Sequence, residues 1–150
     1  MTSETGVMTK KRQPKTILII EDEADIRTFV SRVLELEGYQ VLKASDGEMG
    51  MEMIRENSVA LVLLDLRLPG PDGWSVLRAI KRHPEFSSIP VVVLTAIAES
   101  LQRKKTLRMG AAQYLIKPLS AHRLSQTIAS ILHQEGRRYK IMEESAADSE

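Results

Sequence analysis

The sequence contains no cysteine. Disulfide scaffolds, zinc ribbons, iron–sulfur sites and thiol catalysis are therefore excluded. It also lacks any apolar run approaching the roughly 18–20 residues of a membrane span. Its opening stretch MTSETGVMTKKRQPK has no apolar core of the kind a secretion signal needs. The expected residence is cytoplasmic, with no membrane contact. An excess of one charge is missing too: 21 Lys+Arg against 20 Asp+Glu leave a formal +1. A dedicated nucleic-acid binder normally carries a basic surplus. What is present, 150 residues with 43% hydrophobic and 27% charged, is the make-up of one globular domain.

The ends differ from the middle. Residues 1–15 are polar, with Lys10, Lys11, Arg12 and Lys15 clustered, and read as a flexible basic tail. Residues 136–150 turn from basic to acidic, and Gly136 is the expected stop of the last helix, followed by a polar tail. The body, 16–135, alternates two textures. Short apolar runs rich in β-branched residues fall at 16–20, 39–42, 59–64, 89–94 and 113–116, and read as buried strands. Longer amphipathic stretches separate them. Ile26, Phe29, Val30, Val33 and Leu34 form one helical stripe, which Gly38 ends. Ser45 and Glu48 have capping-box spacing ahead of Met49, Met53 and Ile54. Trp74, Leu77 and Ile80, then Leu124, Ile128, Ile131 and Leu132, mark two more helices, with Trp74 read as packing. The stretch 99–109 differs: Arg103, Lys104, Lys105 and Arg108 crowd it, apolar anchors are few, and it is expected to be weakly held.

Alternating strands and helices predict an α/β fold, a doubly wound (βα)5 unit with a five-stranded parallel sheet. Ligands of such sheets sit beyond the carboxyl ends of the strands. Glu21-Asp22 follow the first strand, Asp65 the third, Thr95 ends the fourth, and Lys117-Pro118 follow the fifth. With strand order 2-1-3-4-5, Glu21, Asp22 and Asp65 converge. Crowded carboxylates demand cations, and a hard divalent ion such as Mg²⁺ with one ammonium balances them. Lys117 supplies that ammonium and Thr95 a hydroxyl. No Ser/His/Asp set or thiol is at hand, so the available nucleophile is a carboxylate, and Asp65 on the most apolar strand is the best placed.

The segments ILIIEDE, LVLLDLRLPGPDG, VVVLTA and GAAQYLIKP, in this order and spacing, resemble the receiver domain of two-component response regulators. The resemblance covers residues 16–135 and implies a flavodoxin-like fold. It implies that Asp65 is the phosphoacceptor, forming an aspartyl phosphate with a group taken from a sensor histidine kinase or histidine phosphotransfer protein. Beyond that chemistry no enzyme activity is implied. Asp22 matches the residue that binds Mg²⁺ directly, with Mn²⁺ an acceptable substitute, and Glu21 matches its water-mediated neighbour. The main-chain carbonyl of Arg67 matches a further metal ligand. Lys117 matches the phosphoryl-contacting lysine, Thr95 the switch hydroxyl and Tyr114 the aromatic switch. The output is implied to be the face of the fourth helix, fifth strand and fifth helix.

Departures from the pattern shape the partner expectation. Glu21 stands where Asp is more frequent, and Leu119 where Phe is frequent. Ala112-Gln113 and Arg123-Leu124-Ser125-Gln126 lack the residues usual in regulators with winged-helix output domains, and the length is expected to leave no room for a DNA-binding output domain. The expectation is a stand-alone receiver, monomer or weak homodimer, with an unknown downstream protein partner and no direct DNA binding. A phosphorylation-independent scaffold or adaptor is the alternative, and the intact acidic set argues against it. A haloacid-dehalogenase-like phosphatase would need an acid at position 67, which is Arg. An FMN binder would find Glu21-Asp22-Glu23 repelling its phosphate. His83, His122 and His133 are too scattered for a metal pair and read as exposed helix positions.

Overall fold

The computed structural model describes residues 13–148, with side chains over 13–136. Most of the expected basic tail, residues 1–12, lies outside the described residues, as do the side chains of 137–150. The elements are β1 (Thr16–Ile20), α1 (Ala24–Leu36), β2 (Gln40–Ala44), α2 (Gly47–Glu56), β3 (Leu61–Leu64), α3 (Gly73–Arg82), β4 (Val91–Thr95), α4 (Ser100–Arg108), β5 (Gln113–Ile116) and α5 (Ala121–Asp148). The five strands form one parallel sheet in the order β2-β1-β3-β4-β5, as expected.

Strand residues alternate between two apolar layers, because successive side chains point to opposite faces of a sheet. Leu18, Ile20, Val62, Leu64, Val91 and Val93 pack with Ile54 of α2 and Val76, Leu77 and Ile80 of α3. Ile17, Ile19, Leu61, Leu63, Val92 and Leu94 pack with Val30 and Leu34 of α1 and Leu124, Ile128 and Leu132 of α5. Each fully buried Leu or Ile contributes about 1.5–3 kcal/mol, so both layers hold the sheet firmly. No residue of α4 belongs to either layer. Leu101 is 76% exposed, and Thr106 is the helix's buried residue. The weak anchoring expected of this segment is therefore physical.

Several local expectations are corrected. The cap of α2 is Asp46, whose carboxylate accepts the Met49 N–H at 2.8 Å, one residue beyond Ser45. Asp72 caps α3 in the same way, accepting the Ser75 N–H at 2.8 Å. Phe29, expected in the apolar stripe of α1, is half exposed. The last helix runs through Gly136 to Asp148 instead of stopping there. A glycine costs a helix only about 1 kcal/mol, too little to end one by itself. Gly38, by contrast, does end α1, with φ +96° and its N–H donating to the Glu35 carbonyl. His83 is half-buried and stacks on Phe86 with ring centroids 4.1 Å apart, so it is not a plain solvent position.

Candidate functional site

The strand register builds the site. Ile20 pairs with both Ala44 and Leu64, so the next residues, Glu21 and Asp65, emerge side by side from adjacent strands. The Asp65 N–H donates to the Ile20 carbonyl at 3.1 Å and fixes that juxtaposition. Thr95 pairs with Ile116, and the Lys117 N–H donates to the Thr95 carbonyl at 2.8 Å, which carries Lys117 to the same edge. The Lys117-Pro118 peptide is cis.

Lys117 reaches between the carboxylates. Its ammonium lies 2.7 Å from Glu21 Oε1 and 2.9 Å from Asp65 Oδ2, with the Glu23 carboxylate at 3.5 Å. Glu21 and Asp65 are buried, while Asp22 is exposed at the mouth. One carboxylate oxygen from each of Glu21, Asp22 and Asp65 lies within 4.8 Å of the others, a hard-oxygen set able to hold a cation. Asp65 Oδ1 accepts the Arg67 N–H at 3.1 Å, so both Asp65 oxygens are oriented. Burial raises the carboxyl pKa of Glu21, with repulsion from Asp65 adding to it against the opposing pull of Lys117 and the Glu23 N–H. Burial alone would lower the Lys117 pKa, yet the hydrogen bonds and charges of Glu21 and Asp65 leave it raised. The site is an anionic pocket whose negative charge one lysine offsets in part.

Thr95 and Tyr114 meet on a single residue. The Thr95 hydroxyl oxygen accepts the Ile97 N–H at 3.5 Å, and the Tyr114 hydroxyl donates to the Ile97 carbonyl at 2.7 Å. Both side chains are buried. Burial raises the Tyr114 phenol pKa, with the charges of Glu99 and Asp65 adding to it against Arg103.

Sequence reasoning missed two residues here. Glu23 approaches Lys117, and the Arg27 guanidinium donates to the carbonyls of Glu21 at 2.8 Å and Asp22 at 3.3 Å, clamping the acidic loop from the first turn of α1. Their only signal was proximity to Glu21-Asp22 in the chain. Beside Lys117 opens an apolar recess of about 520 Å³, walled by Ile26, Phe29, Leu94, Pro118, Leu119 and Leu124. Among the described residues, no helix is long and apolar enough to cross a membrane.

Comparison with known proteins agrees with this geometry. The family described as "Response regulator receiver domain" matches residues 17–129. The chain is 38% identical over 120 residues to the phosphate regulon transcriptional regulatory protein PhoB of Escherichia coli, covering 80% of this chain and 52% of that protein. It is 35% identical over 122 residues to a protein of Porphyridium aerugineum described as "Probable transcriptional regulator ycf27", covering 81% of this chain and 50% of that protein. A response regulator receiver domain protein from Clostridium thermocellum has a structure that superposes with a TM-score of 0.75 at 31% identity, covering 81% of this chain and 97% of that one.

The chain thus spans about half the length of the curated relatives it matches, and those relatives are transcriptional regulators. This corrects the expected partner set of a stand-alone receiver with no direct DNA binding. The near-neutral charge and the residues at 112–113 and 123–126 describe the receiver portion alone. They carry no information about the regulator a receiver serves. The chain belongs to the response regulator receiver domain family of two-component signalling.

Proposed function

We propose that Asp65 accepts a phosphoryl group from a phosphohistidine of a sensor kinase or phosphotransfer protein. The observation that carries this reading is the orientation of the Asp65 carboxylate. Lys117 holds Oδ2, the Arg67 N–H holds Oδ1, and Glu21 and Asp22 stand within cation-sharing reach. In the transfer an Asp65 oxygen forms a bond to phosphorus as the bond from phosphorus to the imidazole nitrogen breaks. Such a reaction needs in-line positioning and neutralisation of the phosphoryl oxygens more than covalent work by the protein. Lys117 supplies a positive charge for those oxygens, and the Thr95 hydroxyl is a candidate donor to them. A bound Mg²⁺, or Mn²⁺ in its place, adds charge neutralisation at the phosphoryl oxygens. Glu21, Asp22, Asp65 and the main-chain carbonyl of Arg67 are its proposed ligands.

The added phosphoryl oxygens would accept from the Thr95 hydroxyl and draw it away from the Ile97 N–H, and Tyr114 donates to the carbonyl of that same residue. Thr95 and Tyr114 together are the proposed switch, and the weakly anchored α4 with β5 and α5 is the proposed output face. The likeness to transcriptional regulators supports transcriptional control as the response, and cytoplasmic residence fits that role. The test is intact-mass measurement after incubation with acetyl phosphate and Mg²⁺. One phosphoryl group is expected on the wild type and none on Asp65→Asn. Stoichiometric labelling of Asp65→Asn elsewhere would overturn the assignment.

The cation proposal has its own readout. Saturation at 100 times Kd stabilises a fold by about 2.7 kcal/mol, several degrees in Tm for a domain of this size. Mg²⁺ should produce that rise over a chelator control in the wild type, and little or none in Asp22→Ala, which removes an exposed ligand without touching Lys117. An equal rise in both proteins would remove Asp22 from the ligand set.

A further inference from the structure

α4 contributes nothing to the two apolar layers, yet it is not free. Its one buried side chain, Thr106, is fully enclosed, and Trp74 of α3 reaches it. The Trp74 indole N–H donates to Thr106 Oγ1 at 3.0 Å, and the Thr106 hydroxyl donates to the Gln102 carbonyl at 2.7 Å. The Lys105 ammonium lies 5.1 Å from the centroid of the Trp74 ring, within range of a cation–π attraction. The indole therefore holds α4 by a hydrogen bond to a buried hydroxyl and a cation on its face.

The other end of this contact is rooted beside Asp65. Trp74 directly follows Gly73, whose N–H donates to the Leu66 carbonyl at 2.9 Å. Gly73 packs so closely that a Cβ there would press on the backbone of Asp65 and Leu66, the Asp65 carbonyl carbon being 3.0 Å away. A shift of the Asp65 main chain therefore displaces Gly73, and with it the indole.

We propose that Trp74 and Thr106 form a latch that ties the segment after Asp65 to α4, transmitting events at Asp65 to that helix by a route separate from Thr95, Ile97 and Tyr114. The latch rests on Asp65 as the phosphoacceptor only for its trigger; its mechanical part exists in the unmodified protein. While closed, it sets the resting position of a helix that packing alone leaves loose.

The experiment is hydrogen–deuterium exchange of the 100–108 segment in the full chain. Trp74→Phe deletes the donor and keeps a ring; Thr106→Val deletes the acceptor and keeps the shape. Each variant should speed exchange in α4 about fivefold, the scale of one neutral hydrogen bond lost from a local opening. The double variant should fall short of the two single effects combined, because both remove the Trp74–Thr106 bond. Thr106→Ser keeps the hydroxyl and should restore the wild-type rate. Unchanged exchange in both single variants, or effects that simply add, would overturn the latch.

Acetyl phosphate with Mg²⁺ then tests the trigger. Trp74 is the only tryptophan of the chain, so its fluorescence reports the latch directly. It should change as intact mass shows one phosphoryl group added, and α4 exchange should speed in the same sample. Phosphoryl incorporation without either change overturns transmission through the latch. Failure to incorporate a phosphoryl group overturns the Asp65 reading instead, while the exchange results on unmodified protein still stand or fall by themselves.

Discussion

Lys117→Met is expected to destabilise the metal-free protein by about 3 kcal/mol at neutral pH. Lys117 is the cation between Glu21 Oε1 at 2.7 Å and Asp65 Oδ2 at 2.9 Å, and all three side chains are almost fully buried. Removing one partner of a buried ion pair leaves the remaining charges desolvated and unpaired, which costs far more than the pair's net worth. Here two carboxylates are left facing each other. The pH dependence follows from the direction of the shifts. Burial already raises Glu21 above its ordinary 4.5, so the folded state holds that proton more tightly and loses stability as pH rises through the carboxylate range. Without Lys117 the pull that opposes burial at Glu21 is gone, and its pKa shifts further up. The deficit of Lys117→Met should therefore be smaller at about pH 4, where Glu21 holds its proton, than at pH 7. In the wild type, Lys117 itself is raised above 10.5, so its contribution is complete below that value and fades only as pH climbs past it. Urea unfolding in chelator at both pH values measures this. A deficit equal at acid and neutral pH would show that lost packing, not lost charge, dominates. Mg²⁺ should narrow the neutral-pH deficit by substituting one cation for another.

The same concentration of charge at one sheet edge explains why so much of the site was legible in the sequence. Strands buried on both faces announce themselves as unbroken β-branched runs, and the polar residue that ends each run marks the functional edge. Glu21, Asp22, Asp65, Thr95 and Lys117 lie at such run ends, and strand order and register bring them together. What escaped leaves no periodic trace. The Trp74–Thr106 bond joins residues 32 positions apart, and no spacing rule connects an indole to a distant threonine. Arg27 differs from other polar residues of α1 only in that its guanidinium reaches back over the loop. Asp46 rather than Ser45 caps α2 because the strand ends at Ala44 with one linking residue, a boundary finer than any apolar pattern resolves. The partner expectation was the largest miss. Charge and length measured over a receiver say nothing of its partners, and the likeness to about half the length of transcriptional regulators is what overturned that expectation.

Gly73→Ala should destabilise the fold by about 3 kcal/mol, the upper range for overpacking, and should slow phosphoryl acceptance as well. An added Cβ would collide with the Leu66 Cα and the Asp65 carbonyl oxygen, with the Asp65 carbonyl carbon at 3.0 Å. These are backbone atoms, and no rotamer change moves them away. Two other helical glycines serve as controls of the same chemistry. At Gly50 the new methyl meets only the Ile20 side chain, and at Gly47 mainly Val76 Cγ2 at 2.7 Å. Side chains can turn, and alanine favours a helix by about 0.8–1.0 kcal/mol over glycine, which offsets part of the strain at Gly50. The order of unfolding midpoints in urea should therefore place Gly73→Ala well below Gly50→Ala. The functional consequence separates position from stability. Relief at Gly73 requires the Asp65 and Leu66 main chain to move away from α3, and a displacement near 1 Å at a reacting group is worth about 100-fold in rate. At a temperature where both variants remain folded, Gly73→Ala should accept phosphate from acetyl phosphate far more slowly than Gly50→Ala. Equal rates with equal stability would show that α3 yields instead of Asp65, and the backbone contact would then carry no information between Asp65 and the helix that follows it.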